Sequence, residues 1–261
     1  MKKNRITVLR VALGLAAWFF ITMTFSKILA PRLPERIPNI VMLILGTMIV
    51  PYTVGLAGFF VVAGRMEKRC PQAEIPVTCA LLLKSLIIQL GISIPIVAVI
   101  NIVIRTLGGN IGNELSTALL GDNWLFYAVL LLLFNPIFEE LLFRKIALER
   151  LMILGEKNSI IITSVLFSLP HVISQGIPQM FATFIVSLVW GYLRVKTGKI
   201  WPCMLLHCLF NLFCGYIVSL LSGIPAGSVA IMLIFMIFLP VVSVIILVKN
   251  GFIGQGKRSA A

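Results

Sequence analysis

Eight apolar stretches, each close to the length that crosses a lipid bilayer, leave this chain few ways to fold. They run roughly over 9–29, 39–63, 77–104, 124–143, 159–176, 180–195, 201–221 and 229–248. About 20 apolar residues carry a helix across the hydrocarbon layer. The runs are near-continuous, whereas the strands of a membrane barrel would alternate over about ten residues, so helices are expected. Composition agrees, with 59% hydrophobic and 12% charged residues, against about 25% charged in a soluble domain. The predicted fold is all-α: a polytopic membrane protein with about eight transmembrane helices. Connections are short and free of linkers or repeats, which predicts a single transmembrane domain over 1–261.

The net charge of +13 raises the question of nucleic acid, but the Lys and Arg residues lie in short clusters between apolar spans. No basic groove with interleaved aromatics is present, so no nucleic-acid partner is expected. Topology explains the charge instead. With a cytoplasmic N-terminus, the inner side carries Lys2, Lys3, Arg5, Arg10, the cluster from Arg65 to Lys84, and the segment from Arg144 to Lys157. It also carries Arg194, Lys196, Lys199, Lys249, Lys257 and Arg258. Only Lys27, Arg32, Arg36 and Arg105 fall outside. The bias predicts that both termini are cytoplasmic. The start Met1-Lys2-Lys3 resembles a signal peptide but lacks a small-residue cleavage site, which predicts a retained first helix. Trp18, Trp124 and Trp201 are candidate interfacial anchors. The five cysteines form no CxxC pair, which suggests free thiols in a reducing setting.

Three short segments break the apolar pattern. They are Glu139-Glu140 with Arg144, Phe167 with His171, and His207 with Asn211. Ionisable groups at membrane depth are costly and mark function by default. The chain's two histidines and its only adjacent carboxylate pair within a predicted span all fall here. Adjacent helical residues point about 100° apart, so Glu139 and Glu140 should differ in role. Glu140 and Arg144 are i,i+4 in the favourable order for a pair, which leaves Glu139 to face neighbouring helices. His207 and Asn211 share one polar face at the same spacing, and Phe167 should pack beside His171. Counted from the span ends, Glu139 sits about five residues and His207 about seven from the cytoplasmic side, while His171 lies deeper. Pro136 and Pro170 each remove a backbone donor and free a carbonyl that needs another partner at this depth. Peptide hydrolysis requires a base for water, an acid for the leaving amine and donors for the oxyanion, and this set holds candidates for all of them.

The order Glu-Glu-x-x-x-Arg, Phe-x-x-x-His, His-x-x-x-Asn on successive hydrophobic segments resembles the CAAX protease and bacteriocin-processing family of intramembrane endopeptidases. That family includes the type II CAAX prenyl endopeptidase. The matching core runs from about 124 to 221. The resemblance implies that Glu139 and His171 activate water and that His207 and Asn211 stabilise the oxyanion. Glu140 is implied to assist catalysis, with Arg144 supporting it, in a cavity open toward the cytoplasm. It implies a membrane-associated peptide or protein as substrate and the lipid bilayer as a partner. The compact chain looks like a bacterial plasma-membrane member.

A metal-free glutamate mechanism is favoured and no cofactor is expected; the alternative is zinc held by Glu139, His171 and His207, although His-Glu-x-x-His is absent. Two other functions compete. One is a non-catalytic membrane protein of the same fold, acting in bacteriocin self-immunity or as a partner-binding scaffold. The other is a proton-coupled transporter, disfavoured because the polar residues form no path across and no inverted repeat is present.

Overall fold

A computed structural model describes residues 2–34, 36–109, 121–222 and 224–250. Lys257 and Arg258, which the charge pattern assigns to the cytoplasm, lie outside the described residues. Eight helical segments follow the order of the expected spans: α1 Asn4–Arg32, α2 Asn39–Ala63, α3 Cys79–Thr106, α4 Trp124–Leu154, α5 Glu156–Gln175, α6 Ile177–Thr197, α7 Trp201–Ile217 and α8 Pro225–Lys249. Among the described residues, α1, α2, α3, α4 and α8 are the five long and apolar enough to cross a membrane. Helix α7 is apolar but shorter. Helices α5 and α6 carry more polar residues because they serve the interior: Ser159, Thr163, Ser164, Thr183, Ser187 and Arg194 are all buried in them.

Helix α7 sits against α3, α4 and α6, while α5 packs along α6, α8 along α3 and α1 along α2. Small residues set the closest approach. A Cβ at Gly91 would stand 2.5 Å from the Leu239 carbonyl oxygen, so only glycine lets α3 meet α8 there. Ser243 of α8 donates to the Ile87 carbonyl of α3 at 2.9 Å.

Helices α4 to α7 form two successive hairpins turned by glycines. Gly155 and Gly198 have φ of 85° and 64°, a region that favours glycine. At Gly198 the backbone of Ala73 and Pro71 from the loop between α2 and α3 also leaves no room for a side chain. The same loop is tied down by Glu74 and Ile75, whose N–H groups donate to the Lys196 carbonyl.

Helix α4 corrects one expectation. Its span was expected to end near 143, at the first basic residues, yet the helix runs to Leu154. Arg144 is fully buried, so it does not mark the membrane border. Glu139 therefore stands mid-helix. It and His171 are each sixteen residues from the Gly155 turn, or roughly 24 Å at 1.5 Å per residue. The two facing helices thus carry them at one level, and the expected depth mismatch disappears. Trp18 also departs from the anchor reading: its indole N–H donates to the Pro51 carbonyl at 2.8 Å within the α1–α2 contact. Trp124 and Trp201 stand exposed at the first residues of α4 and α7. All five cysteines are free thiols.

Candidate active site

Glu139 and Glu140 occupy a short regular turn of α4, Asn135–Glu140, between two wide-turned stretches, Leu130–Phe134 and Leu141–Ala147. In the first, the Asn135 N–H bonds the Leu130 carbonyl, five residues back. The next bond in that register would run from Pro136 to Leu131, and proline has no N–H. Asn211 takes its place: its side-chain amide donates to the Leu131 carbonyl at 2.7 Å. The freed carbonyl and the Asn of the third motif are therefore partners, and α7 is pinned to α4 at the site.

The two glutamates face different surroundings. Glu140 pairs with Arg144 at 3.0 Å, both side chains wholly buried. Its other oxygen lies 3.2 Å from His207 Nδ1. Arg144 also donates to Ser187 at 2.9 Å, and its guanidinium lies over Phe167, 5.1 Å from the ring centre. Glu139 keeps part of its carboxylate accessible and lines a cavity of about 140 Å³ with His171, His207 and Asn211.

The imidazoles are each held by one nitrogen. His171 Nδ1 lies 3.0 Å from the Phe167 carbonyl. A carbonyl only accepts, so Nδ1 carries the proton and Nε2 presents a lone pair. His207 turns Nδ1 to Glu140 and Nε2 toward Glu139 at 3.9 Å. Among the described residues, His207 rather than His171 is thus the histidine paired with Glu139. The His207 ring stacks on Trp190 at 4.3 Å and 18°. Trp190 and His207 stand eight and nine residues either side of the Gly198 turn, which brings them level.

Residues 121–213 match the profile described as type II CAAX prenyl endopeptidase Rce1-like. Over those residues the chain is similar to the Rce1-like family. The match covers α4 through most of α7, the same helices that supply Glu139, His171, His207 and Asn211 to the cavity. No curated protein and no solved structure matches the chain. The Rce1-like family is one of intramembrane proteases, and the long apolar helices of this chain make it a multi-pass membrane protein.

Some residues that shape the site carry little signal in the sequence. Gln89 of α3 is fully buried. It accepts from the Trp190 indole at 2.7 Å and donates to the Leu206 carbonyl at 3.0 Å. Through Trp190 it fixes the face on which His207 stacks. A lone amide within an apolar run was the available clue. Trp190 and Ser187, by contrast, look like ordinary packing residues in sequence.

The alternative zinc ligands, Glu139, His171 and His207, all line this cavity. Among the described residues, no three His, Cys, Asp or Glu side chains lie close enough to hold a metal ion. His171 and His207 each engage Nδ1, with Phe167 and Glu140 respectively, and leave Nε2 on the cavity side.

Proposed function

We propose that the protein is an intramembrane endopeptidase that hydrolyses a peptide bond in a membrane-associated peptide or protein. The observation that carries the reading is the convergence of Glu139, His171, His207 and Asn211 from three helices on one cavity. We further propose that all eight helical segments cross the plasma membrane, with both termini and the mouth of the cavity on the cytoplasmic side, where the basic residues concentrate.

The charges around the site suggest how the reaction runs. Glu140 and Arg144 cancel one another, which leaves His207 and Glu139 to balance in the same buried place. His207 turns one ring nitrogen to each glutamate, and a doubly protonated ring can donate to both. A water held between the Glu139 carboxylate and His171 Nε2 can donate to both. Its oxygen attacks the scissile carbonyl carbon while one proton passes to Glu139. The carbonyl oxygen becomes an oxyanion, which accepts from His207 Nε2–H and from the second N–H of Asn211. Collapse breaks the C–N bond, and Glu139 returns its proton to the departing amine. Glu140 and Trp190 hold the His207 ring in place, and Phe167 with its carbonyl holds His171. No step uses a cofactor.

The test is Glu139→Gln in purified protein given a membrane peptide substrate. Cleavage should fall by about 10²- to 10⁴-fold, the usual worth of a general base, with the melting temperature unchanged. Wild-type cleavage should survive a strong chelator. Full activity in the variant would remove Glu139 from the mechanism.

A further inference from the structure

A second cavity, of about 400 Å³, opens between α2 and α4 and contains neither Glu139 nor either histidine. Its size falls in the range of small-ligand sites. One end lies at mid-helix and is apolar, lined by Leu56, Phe60, Phe138 and Leu141. The other end lies where α2 gives way to the loop that follows it and where α4 approaches its last turn. Lys68, Lys145 and Arg150 gather there. A neighbouring hollow shares Phe60, Lys68 and Arg150 and adds Arg65. Cations therefore surround the mouth of an apolar cleft at one end of the helix bundle.

Carboxylates offset them only in part. The one acidic residue in the lining is Glu149, and it is engaged by Arg194 at 2.7 Å and by the Cys70 thiol. Among the described residues, no ion pair holds Lys68, Lys145 or Arg150. Arg150 lies over the Phe60 ring at 5.6 Å and gives one N–H to the Ile146 carbonyl at 2.7 Å. Its Nε is buried without a partner. A guanidinium outside any ion pair and two lysine ammonium groups next to an apolar slot complement one kind of molecule: a negative headgroup joined to a hydrocarbon chain.

We propose that this cleft is a binding site for an anionic phospholipid, whose phosphate is held by Lys68, Lys145 and Arg150 and whose first methylenes lie along Phe60, Phe138 and Leu141. The phosphate oxygens accept from the ammonium groups and from the terminal Arg150 N–H groups not bonded to Ile146, a charge-assisted arrangement. The remainder of the chains stays in the bilayer. Phe138 is the neighbour of Glu139 on α4, so the occupied cleft lies about 100° around the helix from the catalytic cavity.

Native mass spectrometry of the full chain from micelles containing equal phosphatidylglycerol and phosphatidylcholine tests this. Phosphatidylglycerol should be retained on the order of 100-fold over phosphatidylcholine, three increments of about fivefold. Each cation removed should weaken retention about fivefold, from the attraction of one basic residue for an anionic surface. Lys68→Gln/Lys145→Gln/Arg150→Gln should erase the preference, while Lys157→Gln/Lys199→Gln/Lys249→Gln, away from the cleft, should keep it. Circular dichroism melts accompany each variant. If the triple variant does not fold, Lys68→Gln/Lys145→Gln alone, at two exposed positions, should still lower retention about 25-fold by the same increments. Leu141→Trp should reduce retention by filling the slot, and inorganic phosphate should not displace the lipid. Equal retention of both lipids, equal loss in the control triple, no loss in the exposed double or displacement by phosphate would each overturn the proposal. Glu139→Gln should retain the preference, so a failure of the endopeptidase reading would leave this result intact.

Discussion

Helix α4 carries two buried Glu–Arg pairs, and they serve different ends. Glu149 reaches across to Arg194 of α6 at 2.7 Å, with both side chains almost wholly buried. Its second oxygen takes the Cys70 thiol, its backbone carbonyl takes the Arg69 N–H, and Arg194 also donates to the Gly198 carbonyl. That pair is a clamp among α4, α6 and the α2–α3 loop, with both acidic oxygens in use. Glu140 and Arg144 instead lie on one helix, so the pair joins no elements by itself. At 3.0 Å the Arg144 Nε and Glu140 Oε2 are close, but their alignment does not make a hydrogen bond. The distance is the better guide to the charge interaction, and the misalignment shows where the geometry yields. Glu140 is shared with His207, which looks onto the cavity. A buried charge pair thus becomes a candidate site through what its second oxygen holds.

Mutating the pairs should break this contrast open. Arg144→Leu and Arg194→Leu should each cost about 3–5 kcal/mol, because each leaves a buried carboxylate uncompensated. Removing both members separates the two. Glu149→Leu/Arg194→Met should restore stability to within about 1.5 kcal/mol, since packed apolar groups can replace a buried pair, and should keep most activity. Glu140→Leu/Arg144→Leu should regain stability similarly and remain inactive, because His207 loses the acceptor that orients it. Thermal melts and peptide cleavage on the four variants decide the matter. Activity in the Glu140/Arg144 double variant would make that pair a second clamp.

Much of the bundle could be read before any coordinates. Apolar length alone locates the eight helical segments, because a bilayer permits little else, and the i,i+4 spacing of Glu140 and Arg144 predicts their contact. Three features were less legible. The end of α4 was misjudged because Arg144 and Lys145 look like a membrane border, although Arg144 is satisfied inside by Glu140 and Ser187. The near approach of Glu139 to His207 depends on how α7 is rotated against α4, which no local spacing encodes. Gln89 and Trp190 act only through a third residue, so neither stands out in sequence from core amides and aromatics.

Asn211 offers a smaller test, on the contact between α4 and α7. Asn211→Leu should strand the Leu131 carbonyl at membrane depth and cost about 1–3 kcal/mol, the usual penalty for a buried unpaired group. It should also slow cleavage by about 10²-fold if its second N–H reaches the oxyanion. A double substitution with Pro136→Ala supplies a backbone N–H for Leu131. It should recover stability without recovering rate. Recovery of both would leave Asn211 as a helix tie and nothing more.

The smallest effect lies in the solvent-facing counterpart of the clamp. Lys196 contacts Glu74 at 2.8 Å and Glu156 at 2.6 Å, and all three side chains are partly exposed. The hydrogen bond from Lys196, and then that involving Glu156, hold the Glu74 carboxyl below its ordinary range. A carboxyl depressed in the folded state adds stability above its unfolded pKa and loses it as pH falls through the folded one. Water screens this pair, so its contribution should be about 0.2–1 kcal/mol. Melting temperature against pH, wild type beside Glu74→Gln, should show a small wild-type advantage at neutral pH that closes as the solution is acidified. The advantage should shrink in about 1 M salt, where the screening length is roughly 3 Å. The Glu149–Arg194 pair, shielded from ions, should keep its effect there. Identical curves for wild type and Glu74→Gln at neutral pH would mean that the exposed network contributes nothing and that this part of the loop is held by its backbone bonds to Lys196.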